Sequence, residues 1–197
     1  EIEVVLPDAS SFFVAMRVWE EAPFHEGDML ELPRWEEVLQ RTNLIRTRGR
    51  ALSLLARSEH SRFLLRQKLL KRGHEPEHVE PVLDELAREG ALSDERFAES
   101  WVRSRIRSHP EGRSHLVAGL RNRGVESGLA DAAVDHVLED EGMSMAESAR
   151  SYAERLTRRR ALSEPQLADR LHRRGFSTPV VRAVIRELAS DDALDGG

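Results

Sequence analysis

One short phrase, closed by glycine, returns along this chain at a constant interval. Residues 65–73 read LRQKLLKRG, residues 116–124 LVAGLRNRG and residues 167–175 LADRLHRRG, so Gly73, Gly124 and Gly175 stand 51 residues apart. Each phrase places leucines one helical turn apart, and a glycine just beyond the last periodic position is a common helix stop. A fixed period near fifty residues, with the same letters at the same offsets, marks a repeat array.

The phrase predicts the middle helix of a three-helix unit. In the first unit, beginning near Asn43, Ala51, Leu52 and Leu55 form the stripe of a first helix ending near Arg57. Ser61 caps a second helix carrying Leu65 and Leu69. Val79, Val82, Leu83 and Leu86 have the spacing of a buried face on a third helix. That helix starts near Glu77, because Pro81 must fall early to be tolerated. The second unit repeats the pattern with Phe97, Trp101, Val102 and Ile106, then Leu116 and Leu120, then Leu129, Ala133, Val134 and Val137. The third has Ala149, Tyr152, Ala153 and Leu156, then Leu167 and Leu171, then Val181, Val184, Ile185 and Leu188. Residues 1–42 differ. Strands over 2–6, 12–19 and 29–32 would form a small antiparallel cap, with a short linking helix at Trp35, Val38 and Leu39. The expected division is a cap over 1–42, repeats over 43–92, 93–142 and 143–190, and a disordered tail over 191–197.

Charge follows the same period. The chain carries 30 Lys and Arg against 35 Asp and Glu, net −5, a balance that taken alone disfavours a nucleic-acid binder. Yet residues 46–72 hold nine basic residues against Glu59, and residues 75–95 hold eight acids against Arg88. Residues 103–123 carry six arginines against Glu111, and 125–147 seven acids with no Lys or Arg. A third basic stretch, 155–174, has seven arginines against Glu164 and Asp169. Solvated helix faces are the usual fate of such residues, and pairing with the acidic third helices would absorb part of the excess. Surface pairs contribute only about 0–1 kcal/mol each, however, so pairing alone does not demand such segregation. The basic strip is the candidate functional surface, suited to a polyanion or an elongated acidic partner. Its residues are Arg57, Arg62, Arg66, Lys68, Lys71 and Arg72 in the first repeat. The second repeat adds Arg103, Arg105, Arg107, Arg113, Arg121 and Arg123, and the third Arg158, Arg159, Arg170, Arg173 and Arg174. The stems of Lys68 and Arg72 are expected to pack beside Leu65 and Leu69.

No catalytic constellation emerges, and neither a metal nor a cofactor is expected. Residues 74–78 (HEPEH) fit H-E-x-x-H, but that chemistry needs both histidines on one continuous helix. Here the motif follows Gly73, and Pro76 forces Glu75 to be extended. The carboxylates of 139–141 read as a solvated helix end, and 58–60 as a loop. Cysteine is absent, which excludes disulfides and is compatible with a reducing compartment. With no signal peptide and no apolar run of membrane length, the expectation is a cytoplasmic, non-enzymatic protein, by default a monomer.

The repeats resemble the RecX family of recombinase regulators. Leu52, Leu54, Leu55, Arg57, Ser61, Arg62, Leu65, Lys68, Leu69 and Gly73 look like the family's opening motif. Residues 90–98 (GALSDERFA) are similar to its most recognisable phrase, and Gly112, Leu116, Leu120, Arg123 and Gly124 match the next. The resemblance covers about residues 44–188 and is most specific in the middle repeat. It implies a mainly α fold, three tandem three-helix repeats in an elongated, curved array with the small N-terminal β cap as an addition. It also implies binding to the RecA–DNA filament, with restraint of its recombinase, ATPase and coprotease activities in homologous recombination, DNA repair and the SOS response. Gly119 departs from the pattern, where the family usually has an acid; a glycine there weakens a helix by up to about 1 kcal/mol relative to alanine.

Two other functions compete. One is direct DNA binding, single- or double-stranded, with the basic strip on phosphates; the other is a structural adaptor. Aromatic residues make up only 5% of the chain, which disfavours binding single strands by base stacking. A filament that offers both acidic protein and DNA phosphate accommodates net negative charge and local basic strips together, and favours the regulator.

Overall fold

The positions that bury their side chains recur with the period of the glycines. Ala51, Val102 and Ala153 are buried, as are Leu65, Leu116 and Leu167, then Leu69, Leu120 and Leu171, then Val79, Ala130 and Val181, then Val82, Ala133 and Val184. The computed structural model describes residues 1–197 except 7–8, 22, 26, 30, 159–161 and 196–197, and except the side chains of 191–195. Its helical elements are α1 (Met16–Glu21), α2 (Leu32–Leu55), α3 (Arg62–Leu70), α4 (Pro76–Arg88), α5 (Asp94–Ser108), α6 (Arg113–Arg121), α7 (Ser127–Asp140), α8 (Met145–Thr157), α9 (Glu164–Arg173) and α10 (Thr178–Asp195). Two strands, β1 (Ile2–Val5) and β2 (Ser11–Val14), pair antiparallel with Ile2 opposite Val14 and Val5 opposite Ser11. The chain forms two compact units, Glu1–Ser93 and Asp94–Gly197. The first holds the cap and repeat 1; the second holds repeats 2 and 3.

The glycine stops are built alike. Gly73, Gly124 and Gly175 have φ of 83°, 80° and 83°, the left-handed region that glycine enters without a Cβ penalty. At each, the next residue's N–H turns back to the helix, His74 to Leu69 O, Val125 to Leu120 O and Phe176 to Leu171 O. This is the Schellman arrangement, which satisfies carbonyls the helix end leaves bare.

The N-terminal region departs from its sequence reading. The strand expected over 12–19 ends at Val14, and the chain turns into α1. Met16, Arg17, Glu20 and Glu21 are competent helix formers, Arg17 pairs with Glu21 one turn on at 3.3 Å, and Val18 is buried one turn after Val14. The third strand does not form: Met29 is 96% exposed and Leu32 opens α2, with Pro33 in the first turn where its missing N–H costs nothing. Leu30 lies outside the described residues. The linking helix and the first repeat helix are one 24-residue helix, so the boundary expected at 42/43 falls within α2. Its first half holds Val38 against Val14, Ala15, Val18 and Phe24. Its second half holds Ala51 and Leu54 against Leu65, Leu69 and Leu83. Leu54 rather than Leu52 completes that stripe, Leu52 being exposed. At the other end, the backbone of α10 runs on to Asp195, into the stretch assigned to a tail.

Repeats 2 and 3 meet through backbone. Gly112 N–H donates to Arg174 O at 2.8 Å, and Ser114 Oγ donates to Gly175 O at 2.9 Å. A Cβ on Gly112 would lie 1.9 Å from Gly175 O. Ser61 and Ser163 cap the equivalent helices α3 and α9; at α6 the neighbouring chain leaves room only for glycine.

Candidate partner-binding surface

The second helix of a repeat lies against the third, and in the first two repeats this sets basic side chains on acidic ones. At the first position of α3, Arg62 reaches Glu80 at 2.9 Å and Asp84 at 2.8 Å, and Arg66 reaches Glu80 at 2.5 Å. One period later, Arg113 reaches Asp131 and Asp135, each at 2.7 Å. A cation at the first position of a helix opposes the helix dipole, and these acids offset it. The Arg66 and Arg62 guanidiniums hold the Glu80 carboxyl below its ordinary value. Arg113 does the same to Asp135, and its own proton is held correspondingly tighter.

First and third helices pair likewise. Arg48 reaches Glu85 at 3.5 Å and Glu89 at 2.7 Å. The same two places in the second repeat are Glu99 and His136, 3.7 Å apart, and in the third Arg150 and Glu187, 3.6 Å apart. The polarity reverses and the pairing survives. Arg103 adds contacts to Glu99 at 3.0 Å and Asp140 at 2.9 Å, and Arg107 contacts Glu141 at 2.9 Å.

Several strip residues serve packing. Glu111, the one acid of the second basic stretch, is buried and takes Arg105 at 2.8 Å and Arg174 at 3.2 Å. Burial pushes its carboxyl up, but the Arg105 hydrogen bond and the charges of Arg105, Arg174 and His115 outweigh this and hold it low. Arg174 also stacks over Tyr152 at 5.2 Å. The Arg123 guanidinium lies over Trp101 at 4.7 Å and donates to Gly119 O at 2.7 Å. A Cβ on Gly119 would come within 2.4 Å of the Trp101 ring. The glycine that departs from the family pattern is therefore the seat of a tryptophan.

Lys68 and Arg72 are exposed rather than packed. Lys68 Nζ meets Nε2 of buried His60, whose Nδ1 donates to Ser58 O, and Arg72 donates to Lys68 O at 3.1 Å. Arg173 pairs with Asp169 at 3.0 Å, and Arg158 lies 3.9 Å from Glu154. Exposed Arg121 adds to the field at Glu126, whose carboxyl is lowered first by the Gly128 and Leu129 N–H groups. The side chains of Arg57, Lys71 and Arg170 are exposed with no ion-pair or hydrogen-bond partner among the described residues. Arg159 lies outside the described residues. Acids thus take Arg62 and Arg66 of the first repeat's strip and Arg103, Arg105, Arg107 and Arg113 of the second's, whereas Arg57, Lys68, Lys71 and Arg72 meet no acid among the described residues.

Sequence reasoning missed Arg182 and Arg186. They stand one period after Asp131 and Asp135, where the earlier repeats are acidic, and carrying the 51-residue register into the third helices was the signal that finds them. The H-E-x-x-H segment behaves as its proline requires. Glu75 is the extended cap of α4 with φ −73° and ψ 147°; His74 precedes the helix, its Nδ1 2.8 Å from Thr47 Oγ1, and His78 lies within it. No group of three or more His, Cys, Asp or Glu side chains among the described residues could hold a metal ion.

The two first repeats match family models, residues 48–86 that of the first three-helix domain of RecX and residues 93–134 that of the second. A protein of Halorhodospira halophila named regulatory protein RecX is 44% identical over 152 residues, covering 74% of this chain and 89% of that protein. The chain belongs to the RecX family. A RecX protein of Pelodictyon phaeoclathratiforme is 37% identical over 152 residues, 74% of this chain and 90% of its own. The fold is shared with the crystal structure of a RecX regulatory protein at a TM-score of 0.70 and 23% identity, covering 91% of this chain and 92% of that one. RecX from Lactobacillus salivarius aligns at 0.65 and 20% identity, over 75% of this chain and 97% of its own. The Halorhodospira and Pelodictyon relatives are named regulatory proteins, and among the described residues no helix is long and apolar enough to cross a membrane.

Proposed function

We infer that this chain is a non-enzymatic, cytoplasmic regulator of the RecA recombinase. It binds the RecA–DNA filament as a monomer and inhibits or modulates its recombinase, ATPase and coprotease activities. The observation that carries the reading is kinship with RecX regulatory proteins across nearly the full length of those relatives. The charge arrangement supports it. Arg62 and Arg66 of repeat 1 and Arg103, Arg105, Arg107 and Arg113 of repeat 2 are held by acids, which lowers the charge free to release counterions from a bare duplex and counts against tight binding to DNA alone. A filament with acidic protein as well as phosphate on its surface suits a regulator of net charge −5.

The test is a filament assay. Added to RecA assembled on single-stranded DNA, from substoichiometric to equal amounts, the protein is expected to slow ATP hydrolysis and strand exchange. Folded protein that changes neither rate would rule out the regulator. Charge reversal at the unpartnered Lys71 and Arg170 is expected to weaken filament binding while helicity is kept.

A further inference from the structure

The third repeat inverts the ion pair that the first two share. Arg62 faces Glu80 and Asp84, and Arg113 faces Asp131 and Asp135. One period on, the same places hold Glu164 against Arg182 and Arg186. Here the pair is not made. Glu164, Arg182 and Arg186 are exposed, and their side chains have no ion-pair or hydrogen-bond partner among the described residues. Glu164 needs none, because a carboxylate in the first turn of α9 is already favoured by the helix dipole. The two arginines have no such compensation. They lie one turn apart on α10 as a like-charge pair, an arrangement that costs a helix about 0.2–0.5 kcal/mol. The nearest acid in sequence, Glu187, is taken by Arg150.

We propose that Arg182 and Arg186 form a phosphate-contacting face on the third helix of repeat 3, and that the polyanion they meet is the DNA backbone. Both groups are arginines, whose planar fork matches phosphate oxygens two at a time. Their side chains spring from neighbouring points on one helix face, so they can take two phosphates of one strand together. In repeats 1 and 2 the corresponding cations are held by acids of the same repeat and would have to break those pairs first. This deepens the regulator reading by assigning the DNA contact to one repeat. It also places it on residues outside the basic stretch.

The test needs no recombinase. Binding of the chain of residues 1–197 to a fluorescein-labelled thymidine oligonucleotide is measured by anisotropy across a salt series. Each phosphate contact to a single strand contributes about 0.7 to the slope of log K against log salt. The R182A/R186A variant is therefore expected to lower that slope by about 1.4. R182K/R186K, which keeps the charges, is expected to retain it, and R113A, which removes an already paired cation, to leave it unchanged. Circular dichroism confirms folding of each. The proposal is overturned if the wild type does not bind the oligonucleotide, if R182A/R186A keeps the wild-type slope, or if R113A loses as much. Because no filament is present, failure here leaves the regulator assay to stand or fall by itself.

Discussion

At the scale of single residues, the cluster of Trp101, Gly119 and Arg123 shows how a local rule is reversed by a neighbour. Helix propensity alone says that Gly119→Ala should stabilise by about 1 kcal/mol. The added methyl would meet the Trp101 ring at 2.4 Å, and that ring is pinned beneath the Arg123 guanidinium. Overpacking of this kind costs about 1–3 kcal/mol. The expected outcome is a net loss of about 1 kcal/mol in denaturant unfolding. In a Trp101→Ala background the obstacle is gone, and the same change is expected to stabilise. A loss of equal size in both backgrounds would show that the tryptophan is not what requires glycine.

At the scale of elements, the repeat's stop signals differ in what surrounds them. Gly73 has open space where a Cβ would stand, whereas a Cβ on Gly175 would meet His115 at 2.7 Å and Ser114 Oγ at 2.8 Å. Gly73→Ala therefore carries only the left-handed backbone penalty, about 1–2 kcal/mol. Gly175→Ala adds the displacement of α6 side chains and is expected to cost about 1–3 kcal/mol more. Thermal unfolding of the two variants distinguishes these cases. The period, the leucines and the glycine stops were legible in sequence because each repeat solves the same packing problem with local residues. What was not legible depends on contacts far along the chain. Val14–Trp19 has strand-like letters, yet α1 forms there because Val18 must reach the cluster around Val38. Glu111 looks like a stray acid in a basic run until Arg174 arrives beside it from the next repeat. Which bases the acids take was not legible, because the matching of Arg62 to Glu80 and of Arg113 to Asp131 is visible only once α3 and α6 lie against α4 and α7.

At the scale of the whole molecule, the ion pairs and one histidine set how stability should depend on pH. Glu80, Glu111 and Asp135 have carboxyls held below their ordinary values. A depressed carboxyl contributes stability that is present above its unfolded value and is lost as pH falls through its folded one. Stability should thus begin to fall near 4.5 for the glutamates and 3.8 for the aspartate. His74 adds an earlier step. Burial first, then the charges of Arg50, His78, Arg46 and Arg72, hold its imidazole below the ordinary 6.5. The unfolded chain therefore takes up a proton at this site before the folded chain does, and stability declines as pH drops below 6.5. The expected profile has a shallow decline starting there and a steeper one below 4.5. His74→Val installs the residue type found one period later at Val125 and removes the titrating group. It is expected to abolish the upper decline and leave the lower one intact, as read from urea midpoints between pH 7.5 and 3.5. An unchanged upper decline in that variant would assign it to another group and remove His74 from the account.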